Sequence, residues 1–267
     1  MAFDRYLTLW QLTPDGDPIA TRSSRLLPVR CSDGAAAMLK IAIEEEERQG
    51  AALMLWWEGD GAARVLAQAG DALLLERALG RSSLAEMARN GRDDEASRII
   101  SAVAARLHAP RPQPVPPLMP LALWFRELQP AAARHGGILL RAATTARELL
   151  AAPQDTAVLH GDLHHGNILD FGPRGWLAID PKGLLGERGF DFANIFCNPD
   201  LAVATAPGRL TRQAAILAEA AGLDRNRLLK WILAYAGLSA AWTLGEGEQP
   251  DIALAVARSA AAVLAQT

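Results

Sequence analysis

Three residues, Asp162, Asn167 and Asp180, combine the types and the spacing that phosphoryl transfer requires. A carboxylate is followed five positions later by an asparagine, and a second carboxylate ends a short apolar run, as in kinase catalytic loops. Asp162 would accept the proton of an acceptor hydroxyl, and the side-chain oxygens of Asn167 and Asp180 would hold Mg²⁺. The pattern therefore favours phosphoryl transfer.

Two other interpretations of this segment are open. One is an ordinary hairpin with polar turn residues. The other is a metal hydrolase, since the segment holds a dense set of ligand types: His160, Asp162, His164 and His165. A hydrolase would leave Asn167 and Asp180 without a task, and no histidine follows His165 in the chain.

The sequence HGDLHHGN at 160–167 resembles the HGDxxxxN motif of the aminoglycoside phosphotransferase superfamily. Further segments resemble its branch of streptomycin 6-phosphotransferases and hydroxyurea phosphotransferases: GWLAID at 175–180, GLLGER at 183–188, FDFAN at 190–194 and GLSAAW at 237–242. The resemblance implies ATP and Mg²⁺ as cofactors and phosphorylation of streptomycin at position 6, as in antibiotic resistance. Hydroxyurea or another small molecule is the alternative acceptor, and a nucleotide-binding regulator without turnover is a different class.

The implied fold is α+β and bilobal, similar to protein kinases, with a small antiparallel β lobe plus one helix and a larger, mostly helical lobe. We expect an ATP-covering lobe at 1–78, a link near 76–80 and a catalytic lobe at 81–267. Apolar runs and turn residues predict strands at 6–12, 26–31, 37–42, 64–67 and 72–78, with a helix at 44–57.

Lys40 is the small-lobe residue expected to contact the ATP phosphates, because it lies near the end of an apolar strand and carries a point charge. One of the four glutamates at 44–47 would pair with it and fix its position. The resemblance selects Glu47 from its placement before the segment LWW at 55–57.

The remaining nucleotide contacts come from the resemblance. A hairpin containing Ser23 and Ser24 would face the triphosphate, since no Gly-rich phosphate loop lies between the first strands. The adenine would lie against the link between the lobes, where the backbone of Glu76 and Ala78 could read the purine edge.

Patterns in the second half predict the scaffold of the large lobe. Apolar residues repeat at helical spacing from Asp93 until the helix stops before Pro110, and the proline-rich stretch 110–120 predicts an extended connection. A second long helix is predicted at 225–244, with a mostly buried apolar stripe. His160 and Asp191 are expected to brace the catalytic loop rather than to react.

Charge gives a hint about the acceptor, because residues 155–205 contain seven acidic and three basic residues. This balance favours a cationic small molecule such as an aminoglycoside antibiotic. The candidate contacts are two acids and three aromatic residues: Glu187, Asp200, Trp231, Tyr235 and Trp242.

The whole-chain composition narrows the class of protein and its location. With a net charge of −3, we expect no nucleic-acid partner. Charges at positions 4 and 5 and the absence of a long apolar segment favour a cytoplasmic protein without membrane contact. The two cysteines, Cys31 and Cys197, make neither a disulfide framework nor a metal motif. We expect the enzyme to be a monomer.

Overall fold

A computed structural model of the chain describes residues 2–266, without the side chains of residues 45 and 46. The N-terminal part is an antiparallel sheet with a helix against each face. Its helices are α1 (Asp4–Leu9) and α2 (Glu45–Trp57), and its strands are β1 (Thr13–Pro14), β2 (Ile19–Ala20), β3 (Ser24–Arg30), β4 (Ala36–Ala42), β5 (Val65–Ala69) and β6 (Ala72–Glu76).

The strand order of this sheet is β1-β3-β4-β6-β5, and β2 pairs with β3 on a side branch. Long strands β3 and β4 form its centre, with Leu26 opposite Lys40 in the antiparallel register. Buried leucine and valine side chains on one face pack with α1 in a small separate core. The central strands therefore hold Lys40 on a rigid support.

The segment 6–12 is not a strand as the sequence analysis expected. Residues Asp4–Leu9 form helix α1 instead, and Gln11 adopts a left-handed backbone conformation with φ of 51°. Tyr6 and Trp10 lie four positions apart and their rings are 5.6 Å apart between centroids, which is a helical contact. A spacing of four positions also places two side chains on the same face of a strand, so the short segment fits both periods.

The large lobe is mostly helical. Its helices are α3 (Leu84–Arg89), α4 (Asp93–His108), α5 (Leu121–Trp124), α6 (Leu128–His135), α7 (Ile138–Ala151), α8 (Leu201–Ala204), α9 (Arg209–Ala221), α10 (Arg225–Gly245) and α11 (Asp251–Leu264). Five short strands lie between these helices in the chain: β7 (Met119–Pro120), β8 (Thr156–Leu159), β9 (Ile168–Asp170), β10 (Trp176–Ala178) and β11 (Leu184–Glu187). Short 3₁₀ helices occupy Phe125–Glu127, Gly172–Arg174, Arg188–Phe192 and Asn194–Cys197.

Helix α10 runs through the middle of this lobe and is buried on nearly all sides. Gly237 makes the close approach to α7 possible, because a Cβ at this position would lie 2.3 Å from the Cβ of Ala142. Burial all round, rather than along the single predicted stripe, follows from packing against α7, α9 and α11.

Helix α2 joins the two lobes. Its buried residues Leu53, Met54 and Trp57 belong to the same hydrophobic cluster as the large-lobe helices. The indole Nε1–H of Trp57 donates to the carbonyl of Leu107 at 3.1 Å, at the end of α4. The helix that carries Glu47 is therefore anchored to the large lobe as well as to the sheet.

The link between the lobes runs from the end of β6 at Glu76 to the start of α3 at Leu84. The amide of Gly80 donates to the carbonyl of Asp170 at 2.9 Å, which ties the link to β9. None of the helices within residues 2–266 combines the length and the apolar character that a transmembrane span requires.

Candidate active site

The loop that the sequence predicts to be catalytic follows strand β8, which is held antiparallel to β11. It contains His160, Asp162 and Asn167, and it ends where β9 pairs with β10. Strand β10 then leads to Asp180, as the apolar run in the sequence predicted. The amide of Ile179 donates to the carbonyl of Asn167 at 2.9 Å, so the loop and the segment that carries Asp180 are bonded directly.

The side chain of Asp191 holds the start of this loop through hydrogen bonds to the backbone. Its fully buried carboxylate accepts the amide N–H groups of His160 at 2.9 Å and Gly161 at 2.7 Å. A third contact, at 2.8 Å, comes from Nε2 of His108 at the end of α4. Burial raises the pKa of Asp191, but the bond from His108 and the other contacts outweigh it and hold the pKa below its usual range.

His160 is a structural residue in this arrangement. Its Nε2–H donates to the carbonyl of Ile179 at 2.8 Å, and its Nδ1 accepts the amide of Asp162 at 3.2 Å. One donor and one acceptor describe a neutral imidazole. Burial lowers the pKa of His160, which agrees with that neutral form. Both ring nitrogens are occupied, so His160 has none left for a metal ion or for proton transfer.

Asp162 is held by two asparagines. Its Oδ2 accepts Nδ2 of Asn167 at 3.0 Å, and its Oδ1 accepts Nδ2 of Asn194 at 2.7 Å. Both donors are neutral, and the carboxylate keeps lone pairs for a hydroxyl from the cleft. The sequence motif predicted no role for Asn194. The feature that could have marked this residue is its position as a polar residue in an otherwise apolar segment, three residues after Asp191.

Lys40, Glu47 and Asp180 meet between the lobes. The ammonium group of Lys40 contacts the carboxylates of both Glu47 and Asp180. Glu47 turns inward, with its side chain 2% exposed, whereas Glu44 is exposed. The side chains of Glu45 and Glu46 lie outside the described residues.

A second lysine reinforces this cluster. Lys182 lies 3.6 Å from Glu47 and 4.0 Å from Asp180, measured between charged atoms. Burial raises the pKa of Asp180, but Lys40 and Lys182 together hold it at about 2. Asp180 is therefore ionised at neutral pH, and its backbone takes a left-handed conformation with φ of 62° that is uncommon outside glycine.

Gly50 allows α2 to approach this cluster. A Cβ at position 50 would lie 2.1 Å from the carbonyl oxygen of Pro181, the residue after Asp180. Because no other residue lacks a Cβ, only glycine permits this contact without moving the helix. The sequence alone gives no sign of this role for Gly50.

The oxygen donors present suit a magnesium ion rather than zinc. The amide nitrogen of Asn167 is bonded to the carbonyl and the carboxylate of Asp162, which leaves its side-chain oxygen as the group for a cation. Asp180 adds an ionised carboxylate. Two protein oxygens, completed by phosphate oxygens and water, are a common Mg²⁺ site in phosphoryl transfer.

The arrangement of the histidines does not support the metal-hydrolase alternative. Within the described residues, no three His, Cys, Asp or Glu side chains gather in a way that could hold a metal ion. The ring of His165 is buried in the core, with Nε2 at 3.6 Å from Asp93, and His164 accepts the amide of Gly166 at 3.0 Å. His164 Nε2 lies 3.8 Å from the carboxylate of Asp162, but His165 points away from both, so the four ligand types do not face one centre.

The residues expected to contact the nucleotide occupy the two sides of the cleft. Ser23 turns its hydroxyl to Glu47, at 2.7 Å, whereas the side chain of Ser24 is buried within the hairpin turn against Thr21. Glu76 ends β6, and its carboxylate accepts the amide of Arg64 and contacts Arg174. Ala78 follows on the link between the lobes.

A cavity of about 660 Å³ opens above Asp162. It is lined by Arg22, Ser23, Glu44, Trp124, Arg126, Gly161, Asp162, Lys182, Tyr235, Trp242 and Glu246. Tyr235 and Trp242, two of the aromatic residues expected to contact an acceptor, thus share a cavity with the expected base. Both project from α10.

Glu187 and Trp231 lie elsewhere, which corrects their expected place at the acceptor. The carboxylate of Glu187 is buried and accepts Nε and Nη2 of Arg227, each at 2.6 Å, and the indole Nε1–H of Trp231 at 2.7 Å. This arrangement stabilises the large lobe and leaves neither side chain for a ligand. Sequence could not reveal Arg227 as the partner, because it lies forty positions away.

Asp200 is also absent from the lining of the cavity, which corrects the third acceptor contact. It caps helix α8 by accepting the amide of Val203 at 3.0 Å, and it accepts Nε of Arg89 at 2.8 Å. A cap residue with a charged partner is a stabilising role for an aspartate at a helix start.

Known proteins share much of this sequence. Residues 9–247 match the family described as aminoglycoside/hydroxyurea antibiotic resistance kinase. A streptomycin 3''-kinase from Klebsiella pneumoniae is 55% identical over 89% of this chain and 91% of its own length. A streptomycin 6-kinase from Streptomyces griseus is 33% identical over 91% of this chain and 82% of its own length.

Solved structures share the fold at lower sequence identity. An aminoglycoside phosphotransferase from Streptomyces rimosus, solved in complex with ADP and streptomycin, aligns with a TM-score of 0.54 and 21% identity. The alignment covers 89% of this chain and 98% of that one. This likeness confirms the expected kinase-like fold, with its antiparallel sheet and helical lobe.

Proposed function

Because this chain belongs to the aminoglycoside/hydroxyurea antibiotic resistance kinase family, we propose that it transfers the terminal phosphoryl group of ATP to a hydroxyl of streptomycin. The observation that carries the proposal is the carboxylate of Asp162, held by Asn167 and Asn194 at the base of the large cavity. The Lys40, Glu47 and Asp180 cluster lies between the lobes, where a nucleotide would enter. We expect the enzyme to act as a monomer in the cytoplasm.

In this proposal each residue has one task. Asp162 orients the acceptor hydroxyl and takes its proton as the phosphoryl group is transferred. Lys40 neutralises phosphate charge, and Glu47 keeps Lys40 in place. Asn167 and Asp180 hold Mg²⁺, which would neutralise charge on the phosphates when bound. Ser23 would turn its hydroxyl from Glu47 to the triphosphate, whereas Ser24 would support the hairpin through its bonds to Thr21. Glu76 and Ala78 would contact the adenine through the backbone.

The cavity favours a large acceptor. Its volume of about 660 Å³ lies within the range of pockets that enclose drug-sized ligands. Streptomycin has three linked rings and several cationic groups, whereas hydroxyurea has only a few non-hydrogen atoms. Two tryptophans and one tyrosine on the wall provide flat apolar surface for a sugar ring.

The position of phosphorylation is a choice between two ring hydroxyls. The resemblance of the sequence implies position 6, on the ring that carries the guanidinium groups. The 55% identity to a 3''-kinase, against 33% to a 6-kinase, supports the 3'' hydroxyl instead. We therefore propose the 3'' hydroxyl as the acceptor, with position 6 as the alternative.

The test is incubation of the purified protein with Mg-ATP and streptomycin, followed by mass spectrometry and then by NMR of the product. We expect one added phosphate, located by NMR at the 3'' position. A phosphate at position 6 would keep the kinase and change the site. An unmodified drug, with hydroxyurea phosphorylated in a parallel reaction, would contradict streptomycin as the acceptor.

A further inference from the structure

An exposed ion pair lies at the mouth of the acceptor cavity. Nη1 of Arg22, in the small-lobe hairpin, contacts the carboxylate of Glu246 at the end of α10. Both residues line the same cavity as Asp162. A guanidinium group of the protein thus contacts a cavity carboxylate that could equally bind a guanidinium group of a ligand.

Each member of this ion pair can exchange its partner for a charged group of a ligand. The side chains of Arg22 and Glu246 are 80% and 43% exposed, so water screens their attraction and an ion pair of this kind adds little stability. The carboxylate raises the pKa of Arg22, which shows the direction of the interaction. Displacing Arg22 therefore demands little from a ligand that brings its own guanidinium group.

The geometry of α10 connects Glu246 to the reaction site. Tyr235, Trp242 and Glu246 are seven and four residues apart, so they share one helix face. Eleven residues of helix span about 17 Å, which is long enough for several linked rings. Trp124 packs edge to face against Trp242, at 5.4 Å between ring centroids, and extends the apolar wall midway.

We propose that Glu246 is a specificity residue that binds a guanidinium group of the acceptor, and that Arg22 is its internal placeholder. This inference rests on the proposed function, since it assumes a guanidinium-bearing acceptor such as streptomycin. With the guanidinium-bearing ring at Glu246, another ring of the acceptor reaches Asp162 along the aromatic wall. An acceptor that lacks a guanidinium group gains nothing from displacing Arg22 and is disfavoured.

The charged residues that line the cavity support the proposed role of Glu246. The cavity is lined by three cations, Arg22, Arg126 and Lys182, and by three acids, Glu44, Asp162 and Glu246. Asp162 is bonded to two asparagines deep in the site, so Glu246 and Glu44 are the acids nearer the hairpin. Displacement of Arg22 leaves Glu246 to the ligand without burying an unpaired charge.

The experiment measures streptomycin binding by calorimetry in the absence of ATP, with turnover recorded separately. We expect Glu246→Gln to weaken streptomycin binding by about tenfold, because a charged hydrogen bond becomes a neutral one. Arg22→Gln removes the competitor, so binding should tighten by about two- to threefold. In the Glu246→Gln background, Arg22→Gln should have no further effect. Glu219→Gln, an exposed glutamate on α9, is the matched control.

The outcomes separate this inference from the proposed function. Unchanged binding in Glu246→Gln would overturn the inference, as would weaker binding in Arg22→Gln, which would make the pair a latch between the lobes. No binding of streptomycin by the wild type would overturn it too. The wild type could bind streptomycin tightly, and Glu246→Gln could weaken that binding, while the drug is not phosphorylated. This result would support the inference and overturn the proposed function.

Discussion

The base and the mouth of the cleft hold their charges in opposite ways. At the base, Asp191 is fully buried and is bonded to two backbone amides and to His108. At the mouth, Arg22 and Glu246 contact each other while both are exposed. A buried charge must keep its partners, whereas an exposed pair can exchange them. The base is therefore suited to fixing the reacting groups and the mouth to selecting the acceptor.

The cluster between the lobes is intermediate. Glu47 and Lys40 are mostly buried, and Asp180 is about one third exposed on the cleft side. Lys40 faces two carboxylates, so a nucleotide that supplies phosphate charge takes over part of an attraction that already exists. This region should be sensitive both to the packing of α2 and to the nucleotide.

The largest effect should come from the reacting carboxylate. We expect Asp162→Asn to lower kcat by about 10²- to 10⁴-fold, because the variant keeps the shape but cannot take the proton. Steady-state kinetics with streptomycin would measure this, and calorimetry should find ATP binding retained. Asp17→Asn, an exposed residue far from the loop in sequence, should leave kcat unchanged. Wild-type turnover in Asp162→Asn would contradict the proposed role of Asp162 as the proton acceptor.

The second largest effect should come from removing the buried charge of Asp191. Asp191→Asn places an amide NH₂ among groups that donate, so at least one bond is lost in the core. We expect the free energy of unfolding to fall by about 3–5 kcal/mol, measured by urea denaturation. A loss below the error of the method would show that the brace is dispensable.

Packing of α2 should have a moderate effect. Gly50→Ala brings a Cβ to within 2.1 Å of the carbonyl oxygen of Pro181, so α2 must shift. We expect the free energy of unfolding to fall by about 1–3 kcal/mol and the KM for ATP to rise. Gly245→Ala is the matched control, because its Cβ would meet open space at the end of α10. If both variants raise stability, Gly50 has no packing role.

The smallest effect is a pH dependence that begins at the base of the cleft. Burial lowers the pKa of His160 below 6.5, so under mildly acidic conditions the unfolded chain binds a proton that the folded chain does not. The free energy of unfolding should therefore fall as the pH decreases from about 6.5, by up to about 1.4 kcal/mol per pH unit for this residue. His160→Gln should reduce that slope, while His164, whose pKa burial also lowers, keeps part of it. An unchanged slope would contradict the neutral buried imidazole.

Local sequence predicted the elements with clear periodicity and the motif that carries the chemistry. The strands at Ser24–Arg30 and Ala36–Ala42 and the helix at Asp93–His108 match their expected ranges within about two residues. Their apolar patterns fit one period only. The segment 6–12 failed because its aromatic spacing fits a strand and a helix equally, and packing against the sheet decided between them.

The acceptor contacts were harder to predict because charge in a stretch of sequence does not determine charge in a cavity. Glu187 is neutralised by Arg227, and Asp200 by Arg89, from distant segments. Conversely, Glu246 and Arg22 come from opposite ends of the chain, and only the fold brings them to one cavity. Asn194 and His108 were missed for the same reason, since each becomes meaningful through a partner distant in sequence.

The contrast between base and mouth is tested most directly by measuring kcat and the streptomycin Kd for Asp162→Asn and Glu246→Gln side by side. We expect Asp162→Asn to lower kcat by about 10²-fold or more with the Kd unchanged. We expect Glu246→Gln to raise the Kd by about tenfold with kcat unchanged. Equal losses of kcat and affinity in both variants would contradict a division between a fixed base and an exchangeable mouth.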